Sequence, residues 1–91
     1  MAGAAPGATL GSADVQALFE QRRALEMRSH AERIRILEEA DACIRSAPDF
    51  RAYRACEEQE ESARQLLRDE LRPQLQALRD EWQALGRPAP R

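Results

Sequence analysis

The sequence predicts an all-α protein built as a helical hairpin, and three observations carry that prediction. From residue 13 onward Ala, Leu, Glu, Gln and Arg dominate while Gly is scarce, which is helix-forming composition. Apolar residues recur at steps of three and four on both sides of one break, Ser46-Ala47-Pro48-Asp49. Aromatic residues are confined to Phe19, Phe50, Tyr53 and Trp82, and β-branched residues are few, so strands have little to be built from.

Taken in chain order, residues 1–11 are small or turn-forming apart from Leu10, too poor in apolar surface to repay the entropy of ordering, and are expected to be a flexible tail. Ser12 offers an N-cap hydroxyl and Asp14 a negative charge for the first turn, so a helical domain is expected over 12–86. The first helix carries Val15, Leu18, Phe19 and Leu25, then Ile34, Leu37, Ala40, Cys43 and Ile44. Between them Glu26–Arg33 has no strong core residue, which predicts a bend or a break there.

Pro48 pushes Ala47 out of the α region and is itself welcome as the first residue of a new helix, with Asp49 next. A link this short makes the flanking helices roughly antiparallel neighbours. The second helix carries Phe50, Tyr53, Cys56, Ala63, Leu66, Leu67 and Leu71 on one stripe. An interior proline removes a helix hydrogen bond at a cost of about 3 kcal/mol, so a kink or restart is expected at Pro73. Beyond it Leu71, Leu78 and Leu85 repeat every seven residues, as do Leu75 and Trp82, giving a coiled-coil-like seam. Gly86 and Pro88 are expected to stop the helix, leaving 87–91 as a tail.

Cys43 and Cys56 are the only thiols, and they fall on the apolar stripes on opposite sides of the turn. Closing that loop stabilises a fold by about 3 kcal/mol in the chain-entropy model, a large fraction of what so short a chain has. The bond requires a register offset, because Cys43 lies about one turn before Pro48 and Cys56 about two turns after it. An oxidised pair implies an export compartment. Met1-Ala-Gly-Ala-Ala-Pro-Gly-Ala-Thr9 reads as the small-residue start of a mature exported protein behind an added Met, although no signal peptide is visible.

Other chemistry is sparse. The cysteines form neither a CxxC redox motif nor a four-ligand zinc site. Met27 and His30 at i,i+3, with Glu26 beside them, are weak candidates for a soft metal, and no cofactor is indicated. Glu57, Glu58, Glu60 and Glu61 suit a cation or a basic partner but read first as a solvated face, with Arg64 available to Glu60. There is no nucleophile–base arrangement and no phosphate-cradling glycine loop, so catalytic residues are expected to be absent.

All fourteen basic residues are arginine, which reads as the codon usage of a GC-rich genome. With both signs interleaved and a net charge of −2, no uniform basic face is expected for nucleic acid. No run approaches the roughly 20 apolar residues of a membrane span. The stripe Leu67, Leu71, Leu75, Leu78, Trp82 and Leu85 has more apolar length than the polar part of the first helix covers, which predicts partial exposure, partner binding and a homodimer.

The segments His30-Ala-Glu-Arg-Ile-Arg-Ile-Leu37, Ala40-Asp-Ala-Cys-Ile44 and Tyr53-Arg-Ala-Cys-Glu-Glu-Gln-Glu60 resemble a pattern in small exported proteobacterial helical proteins with one cysteine pair. More loosely, the whole is similar to the Spy/CpxP-type periplasmic stress proteins, whose long hairpins dimerise into a cradle for unfolded clients. That family's Leu-Thr-x-x-Gln signature is absent, with only Leu10-Gly-Ser-Ala-Asp-Val-Gln16 and Leu71-Arg-Pro-Gln-Leu75 near it, so no binding residue carries over. The resemblance implies a non-enzymatic periplasmic protein that binds clients or a sensor protein through an apolar helical face. The alternatives are a structural dimerisation module or assembly subunit, and a metal-responsive sensor.

Overall fold

A computed structural model describes the backbone of residues 6–86 and the side chains of residues 13–86, so residues 1–5 of the expected N-terminal tail and the expected tail over 87–91 lie outside the described residues. Two helices, α1 (Pro6–Ser46) and α2 (Phe50–Ala84), pack against each other as an antiparallel hairpin. The result is a rod of 71 × 18 × 16 Å with a radius of gyration of 20.1 Å. A globular chain of this length would have a radius of about 12 Å.

The seam is continuous and regular. On α1 a stripe of residues withdrawn from solvent runs through Val15, Leu18, Arg22, Leu25, Ser29, Glu32, Ile36, Ala40 and Cys43, at steps of three and four. They face Cys56, Glu60, Ala63, Leu67, Leu71, Leu75, Leu78, Trp82 and Leu85 in the reverse order, as an antiparallel pair requires. Leu25, Ile36, Leu67 and Leu71 form the buried centre, with Ala63, Leu75 and Leu78 packed against it. Ile34 and Leu37, expected in this stripe, are exposed instead, and Ile36 takes the inward position.

Several expectations are corrected. Residues 6–11, expected in a flexible tail, belong to α1, which starts at Pro6 rather than Ser12. Proline suits a first helical position, and extending an existing helix is far easier than nucleating one. The bend or break expected in Glu26–Arg33 does not occur. Ion pairs one turn apart support the backbone there: Arg22 with Glu26 at 3.1 Å, and Arg35 with Glu32 at 2.8 Å and Glu39 at 3.0 Å. Arg28 reaches across to Glu70 on α2.

Nor is there a kink at Pro73; α2 runs through it unbroken. Pro73 faces solvent, where water can serve the carbonyl that loses its amide partner, while Leu71 and Leu75 on either side are held in the seam. The Gln74 side chain also donates to the Glu70 carbonyl at 3.4 Å.

At the turn, Pro48 sits in the link rather than at the first position of α2. Asp49 is the N-cap: its backbone is extended (φ −157°, ψ 176°) and its carboxylate accepts from the Ala52 amide at 2.9 Å. At the other end Gly86 has a φ of 75°, the left-handed conformation that ends helices, and its amide donates to the Gln83 carbonyl at 2.8 Å.

Candidate partner-binding surface

Cys43 and Cys56 form the expected disulfide, with Cα atoms 5.7 Å apart, inside the limit of about 7 Å. The register offset is taken up in the link. The Ala47 amide closes α1 with a turn to the Ile44 carbonyl at 3.0 Å, and the extended Asp49 advances the chain farther per residue than a helix does. Small side chains at Ala40 and Ala63 flank the bond and let the helices approach. Cys56 is 3% exposed.

The leucine stripe runs from the buried centre of the seam out to its open end. Leu67 and Leu71 are buried, Leu75 and Leu78 are half-buried and pack on them, and Trp82 and Leu85 are half-buried, so the stripe is exposed only in part, toward the end away from the turn. In the polar part of α1, Arg22, Ser29 and Glu32 are half-buried at the seam positions, and Arg22 and Glu32 pair with Glu26 and Arg35.

The large apolar side chains left in solvent are different ones. On α1 they are Phe19, Met27, Ile34 and Leu37. On α2 they are Phe50, Tyr53 and Leu66, with Phe50 83% and Leu66 70% exposed. Phe50 and Tyr53 stack edge to face at the turn with ring centroids 6.2 Å apart, an apolar knob at the tip of the rod. Arg23 lies over the Phe19 ring at 4.9 Å.

The acidic run is mostly engaged within the hairpin. Glu60 is drawn toward the seam, its side chain 15% exposed, with its carboxylate 3.3 Å from Arg64 Nε. Glu61 pairs with Arg64 at 2.9 Å and Arg68 at 3.3 Å. Glu57 accepts a hydrogen bond from the Tyr53 hydroxyl at 2.9 Å, which raises the Tyr53 pKa, the neighbouring negative charge adding to the effect. On α1 the hydrogen bond from Arg35, and then its charge, lower the Glu32 pKa.

Met27 and His30 are both exposed, and His30 Nε2 stands 3.7 Å from Glu26. Among the described residues no three His, Cys, Asp or Glu side chains converge on a point where an ion would sit. The described residues include no helix long and apolar enough to cross a membrane.

One feature was missed in the sequence. Arg64, Arg68 and Arg72 recur every fourth residue and Arg79 seven further on, so they form a row along one flank of α2, with Arg33 across the groove on α1. The i,i+4,i+8 spacing was the available signal; averaging charge over the chain concealed it. Comparison with protein-family models, with curated proteins and with solved structures finds no match.

Proposed function

We propose that the hairpin is a non-enzymatic binding protein of the periplasm that engages unfolded clients or a sensor protein through its exposed apolar side chains. The observation that carries this reading is the imbalance of the rod. Among the described residues no side chain is fully buried, while Phe50, Leu66, Met27 and Ile34 stand more than half in water. Two helices have only one seam between them, so apolar residues on the remaining faces lack a partner within the chain. The disulfide is consistent with an oxidising compartment, and the stapled hairpin form agrees with the resemblance to periplasmic stress proteins.

The test is light scattering from a chemically unfolded enzyme diluted into buffer with and without the oxidised protein. Suppression at near-stoichiometric ratios is expected, and Phe50→Ser combined with Leu66→Ser should weaken it at least about threefold while leaving helicity intact. If the native protein suppresses no aggregation and no partner co-purifies from the host, the reading fails.

A second reading, a structural dimerisation module, is favoured by the thin two-helix core, since a second hairpin would cover apolar side chains that the first leaves wet. Sedimentation equilibrium giving a dimer mass that is lost in the Phe50→Ser, Leu66→Ser variant would favour it.

A further inference from the structure

Two grooves adjoin on one flank of the α1–α2 seam. The first, about 390 Å³, opens toward the end of the rod away from the turn. Phe19 and Trp82 form its walls, with Val15, Leu18 and Leu78 as apolar lining. The second, about 590 Å³, continues along α2 over Leu71 and Leu75 toward Arg64. Arg79 lines both and marks the place where they meet.

The charges along this flank are not equivalent. Arg22 is held by Glu26, Arg64 by Glu60 and Glu61, Arg68 by Glu61, and Arg72 by Asp69. Arg79, beside the apolar groove, has no ion pair or side-chain hydrogen bond among the described residues, and neither does Arg33, farther along. An apolar trough with aromatic walls and one uncommitted guanidinium at its rim is complementary to a molecule with a hydrocarbon chain and a single anionic end. The volume of the first groove falls in the range of about 300–1,000 Å³ typical of small-ligand sites.

We propose that this flank binds a medium-chain anionic amphiphile, a fatty-acid-like carboxylate. The hydrocarbon chain lies between Phe19 and Trp82, and the carboxylate pairs with Arg79, the guanidinium at the groove that no carboxylate of the described residues already holds. This inference is independent of the protein-partner reading, which uses Phe50 and Leu66 on other surfaces.

Trp82 is the single tryptophan in the chain, so its emission reports the groove directly. The oxidised full chain is titrated with decanoate and with decanol, each below its aggregation threshold. A saturable one-to-one blue shift is expected with decanoate, and binding of decanol should be roughly three- to tenfold weaker. Arg79→Gln should impose the same loss on decanoate and leave decanol unchanged. Arg33→Gln, about 20 Å farther along the rod by helix rise, should change decanoate affinity less than about twofold. Raising the salt concentration in the wild-type protein should weaken decanoate selectively, which tests the charge contact without any substitution. No saturable shift, equal binding of acid and alcohol, or an Arg33→Gln loss as large as that of Arg79→Gln would overturn the proposal. So would a Trp82 emission that shifts with protein concentration alone, which would give the groove to a second copy.

Discussion

Tyr53 shows how one side chain couples chemistry to fold. Its hydroxyl donates to Glu57 one turn on, and ionising it would place a phenolate beside a carboxylate, so its pKa is raised in the hairpin. A folded-state value above the unfolded one means that the contribution is complete below the unfolded pKa, about 10, and is lost as pH rises through the raised folded value. Tyr53 is the only tyrosine, so phenolate absorbance should give a single transition above the ordinary phenol range. Glu57→Gln should bring that midpoint down toward it. A wild-type midpoint at the ordinary value would show that the hydrogen bond does not form in solution. Glu32 behaves in the opposite sense. Its lowered pKa contributes stability above its unfolded value, and that contribution is lost as pH falls through the folded one.

At the scale of the helix, Pro73 separates intrinsic propensity from tertiary packing. A proline in a helix interior costs about 3 kcal/mol, yet α2 stays continuous because the residues around it are pinned to α1 and the broken bond faces solvent. Pro73→Ala restores the missing amide donor but also frees the unfolded chain, which returns about 1 kcal/mol. The urea midpoint of the oxidised protein should therefore rise by the equivalent of about 2 kcal/mol; an unchanged or lowered midpoint would mean the proline is not strained where it sits. The same competition explains what was legible in the sequence. The turn near Pro48, the Cys56, Leu67 and Leu71 part of the second-helix seam and the pairing of Cys43 with Cys56 are local patterns, and they read correctly, whereas Phe50, Tyr53 and Leu66, placed on the same stripe, are exposed. The unbroken first helix did not, because Arg22, Ser29 and Glu32 hold seam positions with residues that carry no hydrophobic signal. Ile34 and Ile36 are equally apolar but two residues apart, which places them about 200° from each other around the helix, and only Ile36 faces the seam.

For the molecule as a whole, stability rests on a long thin contact closed at one end by a covalent bond. Joining residues thirteen apart in sequence removes freedom from the unfolded chain worth about 3 kcal/mol. Reduction, or Cys43→Ser with Cys56→Ser, should lower the urea unfolding free energy by about that amount. A loss below about 1 kcal/mol would show that the apolar seam alone holds the hairpin. Among the described residues the seam contains seven buried side chains, none of them fully enclosed, which is a thin core for two helices of this length.

The bond sits beside the turn, so it clamps the two helices at one extremity and leaves the other free to part. Separation should begin where Leu18 and Leu85 line one groove and travel toward Ala40, as tongs open from their points while the pivot stays shut. The Phe19–Trp82 trough lies between those points, so whatever settles there would act as a wedge or a clasp on the motion, at the place where the least force is needed to stop it.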